Sequence, residues 1–202
     1  MNVSTFKPES IVNELFALYE KYGKRSSAGQ PISQLEQVAQ AAALAEEEGF
    51  EDEVILAAFF HNIGNVFENE EDGTIDHEKL GADYLRQHGF SERLIALVES
   101  DRIASRYLAY KHPEYYDQLS EADKAKLELQ GGRMTILEAE KFEQDPDAET
   151  FVRLRYWNDR AKKAIKSKLN IPHIKLIAMS HLYKIVDQYL PAFLMPKAAV
   201  RR

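Results

Sequence analysis

The sequence predicts an all-α protein folded as a single compact domain over residues 1–202. Three observations carry that expectation. Helix start and stop signals recur along the whole chain, apolar residues repeat at helical spacing, and no stretch alternates apolar and polar residues as a half-buried strand would. Taken in order, a first helix is expected near 8–22, before any strong punctuation. The next, 33–48, opens on Ser33-x-x-Glu36, the spacing at which a hydroxyl and a carboxylate cap each other's amides, and stops at Gly49. Residues 52–62 contain "VILAAFF", apolar on every side, which makes that helix central. A helix at 76–88 stops at Gly89, and Ser91 opens one at 92–109. Ser120 opens 120–129, Thr135-x-x-Glu138 opens 136–144, and helices at 148–166 and 173–189 follow, the last closed by Pro191. Breaks are expected at the acidic stretch 64–75 and at "QGGRM", 130–134, where two glycines permit a tight turn.

Composition narrows the function classes. A chain of 202 residues, 45% hydrophobic and 29% charged, is long enough for a full core without staples. With no cysteine there is no disulfide framework, thiolate zinc site or cysteine nucleophile, which fits a cytoplasmic protein. A net charge of −7 argues against a nucleic-acid binder, and "DRAKKAIKSK" reads as a solvated helix face. No segment is apolar enough to cross a membrane, and none resembles a signal peptide. The partners expected are a small-molecule ligand and a second copy of the chain. The acidic run "ENEED", 68–72, reads as solvated charge rather than a cation site.

Several polar residues fall on apolar faces. Leu94, Leu97, Val98 and Asp101 follow i, i+3, i+4, i+7. Phe151, Leu154, Asn158, Ala161 and Ile165 form a second stripe, and Gln37 lines up with Ala41 and Leu44. His61 begins the inner end of the central helix. Burying any of these unpaired costs a few kcal/mol. Singly, each is explained by a backbone or water partner; together they point to one shared polar pocket. His181 reads as a core histidine, His173 as part of a first helical turn, and His88 and His112 as exposed. Trp157 stands beside Asn158, at the border of that pocket.

The segments "QLEQVAQAA", "LAAFFHNIG", "DHEKLGADYLRQHGFSERLIALVES", "LELQGGRM" and "LRYWND" resemble, in the same order, the HD-domain superfamily of metal-dependent phosphohydrolases and related diiron oxygenases. The likeness spans about residues 30–160 and is nearest to the branch that cleaves organophosphonates with a mixed-valence diiron centre. It implies an HD-type helical bundle. It also implies a ligand pattern, His … His-Asp … His … His … Asp, that falls here on Gln37, His61-Asn62, His77, Asp101 and Asn158. Only His61 and His77 keep the family's residue type. Ser105 stands where the resemblance implies a phosphonate-holding lysine, and "SSAGQ", with Ser27 and Gln30, stands where it implies a gating tyrosine and glutamate. Gln130 and Arg155 are implied pocket wall.

Two metal ions bring about four positive charges into a dry space and need anionic ligands to hold them. Asn62 and Asn158 have nearly the shape of aspartate without its charge. The leading expectation is therefore a member with a degenerate metal site and no cofactor, keeping a ligand-binding, structural or regulatory role. In that reading Asn62, Asn158 and Gln37 hydrogen-bond with His61 and His77 without any ion. A second expectation is a metalloenzyme acting on a small phosphate or phosphonate with a single Fe, Mn or Zn ion held by His61, His77 and Asp101. A third is a metal-free hydrolase, with His61 as base and Asp101 orienting it.

Overall fold

In the computed structural model, residues 7–24, 32–67, 77–162 and 170–194 are described, the last stretch with side chains as far as Asp187. They contain eleven α-helices and no strand among the described residues. In chain order these are α1 (Pro8–Tyr22), α2 (Gln34–Glu47), α3 (Asp52–Phe60), a 3-10 turn (Ile63–Phe67), α4 (His77–Gln87), α5 (Glu92–Val98), α6 (Asp101–Lys111), α7 (Pro113–Gln118), α8 (Glu121–Leu129), α9 (Ile136–Glu143), α10 (Ala148–Ala161) and α11 (Ile171–Leu194).

Local chemistry sets the boundaries. Ser33 and Thr135 make complete capping boxes with Glu36 and Glu138, and the Ser91 and Ser120 hydroxyls accept the amides of Leu94 and Asp123. Gly49 and Gly89 end their helices in the left-handed region, at φ 78 and 83. The structure departs from the sequence expectation in three places. The helix expected at 92–109 is two helices, because the Ser100 hydroxyl bonds back to the Leu97 carbonyl at 2.7 Å and the chain re-enters helix at Asp101. Pro113 opens a short extra helix, α7, preset by the ring for a first turn. Pro191 does not close the last helix: α11 runs through it to Leu194. Ile165, the "ENEED" run and the "SSAGQ" stretch fall outside the described residues.

The centre is α3, whose residues Val54–Phe60 are all buried and which packs on α2, α5, α10 and α11. Around its inner end Phe16, Tyr19, Phe59, Phe60 and Phe90 form an aromatic cluster, with Phe16 stacked on Phe59 at 5.1 Å and Phe60 edge-on to Phe90 at 5.5 Å. At the other end one arginine ties three elements together. Arg93 on α5 donates to Glu53 on α3 at 2.8 Å and to Asp147, before α10, at 2.7 Å. The Ser91 hydroxyl also bonds to Glu53. These ion pairs are partly exposed and each is worth about 0.5–1 kcal/mol. Their larger effect is to register α3 and α10, the two helices that carry His61 and Asn158. His181, beside this junction, stacks on Phe90 at 5.7 Å and accepts the Ser91 amide at 3.4 Å. It is half-buried at the edge of the core, and His88 is half-buried with Nδ1 2.7 Å from the Tyr84 carbonyl. Trp157 is buried edge-on against Phe50 at 4.8 Å, so it belongs to the core.

Candidate polar centre

Residues from α2, α6 and α10 meet in a chain of side-chain hydrogen bonds. Gln37 Nε2 donates to Asn158 Oδ1 at 2.7 Å, and Asn158 Nδ2 donates to Asp101 Oδ1 at 3.1 Å. Arg155 Nη1 donates to the other Asp101 oxygen at 2.7 Å. The sequence places these residues for evident reasons. Gln37 and Asn158 occupy apolar faces of their helices, and Arg155 lies one turn before Asn158. Asp101 is the first residue of α6, where a carboxylate complements the helix dipole. That position differs from the expected one, in the middle of a single helix over 92–109, yet the side chain still turns inward.

The guanidinium is the hub. Its Nε donates to the Tyr115 hydroxyl at 2.8 Å and to Asp159 at 3.1 Å, its Nη2 donates to Asp159 at 3.0 Å, and Lys162 also reaches Asp159 at 3.0 Å. Burial favours the neutral form of Asp101, but the Arg155 charge, helped by His61, Lys126 and the Asn158 amide, prevails and lowers its pKa from the usual 3.8 to about 2. Burial likewise pushes the Tyr115 phenol up to about 12. Asp101 and Asp159 carry two negative charges, Arg155 and Lys162 two positive ones, and the four cancel.

His61 and Asn62 stand outside this chain. His61 caps α3, and its Nδ1 donates to the Ala58 carbonyl at 2.7 Å, which fixes the tautomer and leaves the Nε2 lone pair without a hydrogen-bond partner. Asn62 Oδ1 is equally buried and equally without one. Burial holds the His61 pKa below the ordinary value, opposed by the Ala58 carbonyl and the Asp101 charge. The Asn158 side chain adds to that opposition, as a partner of the charged imidazole. Gln37 donates to Asn158, and Asn158 in turn donates to Asp101.

His77 opens α4, held by backbone packing. A Cβ on Gly64 would lie 1.9 Å from the His77 carbonyl oxygen, and one on Gly81 would lie 2.8 Å from Ile63 Cγ2. Only glycines let the 3-10 turn after Asn62 lie flat on α4. Gln130 is half-buried at the end of α8 and takes no part in the hydrogen-bonded chain. The turn after it, with Gly131 and Gly132 at positive φ, is held by Arg106 Nε donating to the Gly132 carbonyl at 2.9 Å. Ser105 is buried in α6. The sequence pattern does not mark Tyr115, Lys162, Gly64 or Gly81 as part of this region. Asp159 does leave a signal there, lying four residues after Arg155 on one helix.

These side chains do not fit a pair of metal ions. Both Asp101 oxygens are occupied by donors, Asn158 presents its NH2 towards that carboxylate, and Asn62 supplies one neutral oxygen. Among the described residues, no three His, Cys, Asp or Glu side chains are grouped as a metal ion would need.

Such a bundle, with polar side chains drawn from several helices into one buried centre, defines a class of helical domains organised around an internal polar site. A family model for the HD domain matches residues 34–154. The chain belongs to that family. It is 35% identical over 178 residues to an uncharacterised protein of Acanthamoeba polyphaga mimivirus, covering 85% of this chain and 81% of that one. It is 31% identical over 169 residues to a 1-hydroxy-2-(trimethylamino)ethylphosphonate dioxygenase (glycine-betaine-forming) of Leisingera caerulea, covering 81% and 86%. It is 36% identical over 162 residues to a hydroxymethylphosphonate dioxygenase of Gimesia maris, covering 77% and 80%. No helix among the described residues is long and apolar enough to cross a membrane.

Proposed function

We propose that this chain is an HD-domain protein without two-metal catalysis, whose polar centre serves to bind a ligand or to stabilise and regulate the fold. One observation carries the reading: Arg155 sits on Asp101 at 2.7 Å, so an internal guanidinium supplies the positive charge that a carboxylate at a metal centre would take from an ion. The neutral Asn62, Asn158 and Gln37 are consistent with that charge balance. Calorimetric titration with Fe(II), Mn(II) and Zn(II), with elemental analysis of protein grown in metal-rich medium, tests it. Less than one tightly held ion per chain is expected; two would overturn the reading.

A second reading has its own support. The His61 imidazole is oriented by a backbone carbonyl with the other nitrogen free of hydrogen bonds, as metal-ligating histidines are, and two relatives bear the names of phosphonate dioxygenases. In that reading one divalent ion is held by His61, His77 and Asp101, and the substrate is a small phosphate or phosphonate. It requires His77→Ala to abolish both metal uptake and turnover, and retained turnover in that variant would dismiss it.

A further inference from the structure

The polar centre has an imbalance that points to a ligand class. Its hydrogen-bond donors face one another's acceptors: Gln37 Nε2 bonds to Asn158, Asn158 Nδ2 to Asp101, and the Arg155 guanidinium to Asp101, Tyr115 and Asp159. His61 Nε2 and Asn62 Oδ1, neighbours in the chain, are both buried without a hydrogen-bond partner. They belong to adjacent residues at the carboxyl end of α3, where helix carbonyls also point and add further acceptor character. A buried acceptor without a donor costs about 1–3 kcal/mol, so a group that fills it recovers that free energy on binding.

Charge narrows the class. An anion would need a free cation, but Arg155, Lys162 and Lys126 are each paired with a carboxylate, and Ser105 carries no charge. A cation would need an anion, but Asp101 is neutralised by Arg155. The Asp101, Asp159, Arg155 and Lys162 cluster sums to zero before any ligand arrives. We infer that the carboxyl end of α3 binds a small uncharged molecule through hydrogen-bond donors, of the diol or primary-amide class, received by His61 Nε2 and Asn62 Oδ1. This rests on the metal-free reading of the centre and goes beyond it by naming what the centre takes.

The test uses the full-length 15N-labelled protein and follows the His61 Nε2 resonance, which moves when its lone pair accepts a proton donor. The probes are propane-1,2-diol, acetamide, N,N-dimethylacetamide, methylammonium, methylphosphonate and Zn(II). The diol and acetamide are expected to shift the resonance saturably, while N,N-dimethylacetamide, similar in shape but lacking donors, leaves it in place. Asn62→Leu should weaken the diol response at least tenfold. If that variant does not fold, the pair acetamide against N,N-dimethylacetamide on the native protein decides alone. A response to methylphosphonate, methylammonium or Zn(II) at lower concentration than to the neutral donors would overturn the assignment. So would no response to any probe, which would mean that water alone serves the two acceptors. Failure of the neutral probes together with failure of metal uptake sinks this inference and leaves the metal-free reading standing.

Discussion

Arg155 Nη1 and Asp101 Oδ2 are 2.7 Å apart, and their side chains are only 8% and 16% exposed. A pair this dry is strongly asymmetric, because deleting one partner strands the other charge away from water. Arg155→Met is expected to destabilise the fold by about 3–5 kcal/mol. Adding Asp101→Asn to that variant should restore more than half of the loss. Urea unfolding of the two single variants and the double variant checks this, and additive losses would show that the two groups do not act as a unit.

Stability should fall on acidification in two steps. The His61 pKa is lowered in the folded state, so its contribution is complete above the unfolded value of about 6.5 and is lost as pH falls below it. Burial lowers His181 in the same direction, so replacing His61 with a neutral isostere removes only part of this step. Asp101, held at about 2, adds about 2 kcal/mol that is present above pH ~4 and lost as pH falls towards 2. Denaturant midpoints measured between pH 7.5 and 3 should drop first below 6.5 and again below 4.

Gly64→Ala should be costly despite adding one methyl group. The new carbon would overlap the His77 carbonyl, a backbone atom that no rotamer change can clear. A loss at or above the upper end of about 1–3 kcal/mol is expected. Displacement of the His77 imidazole resonances, with little change at His112 on the exposed surface, should accompany it. An unchanged His77 spectrum would show that the seam does not place that residue.

Rebuilding the pattern that the family resemblance implies should restore metal affinity. The combined variant Gln37→His, Asn62→Asp, Asp101→His, Asn158→Asp, with Arg155→Gln to withdraw the guanidinium, supplies the missing ligands and two new carboxylates. Elemental analysis should find about two ions per chain, because charge and ligand number now match the demand. No gain of metal would mean that side-chain identity is not what excludes it.

Much of the fold could be read from particular residues. Ser33, Ser91, Ser120 and Thr135 began helices where their side chains cap amides, and Gly49 and Gly89 ended them, because these effects act within one turn of chain. The break before Asp101 was hidden because the apolar repeat runs through it, and a single serine hydroxyl turns the chain. Gln37, Asn158 and Asp101 were legible as polar residues on apolar faces. Their order of donation was not, because it depends on which helices meet across 121 and 57 residues of sequence. Arg155 was expected only as pocket wall, since nothing local shows that a guanidinium will find Asp101 from 54 residues away. That His61 Nε2 and Asn62 Oδ1 lack hydrogen-bond partners likewise depends on which helices meet there.

The polarity of Asn158 constrains which residue can stand in its place. One of its side-chain atoms must accept from α2 while the other donates to α6, and aspartate can only accept. Changed alone to the acidic residue, position 158 would set a second negative charge beside Asp101 and break that link. An aspartate there fits the rest of the centre only if Asp101 or Arg155 changes with it. The direction of a single amide thus couples position 158 to position 101.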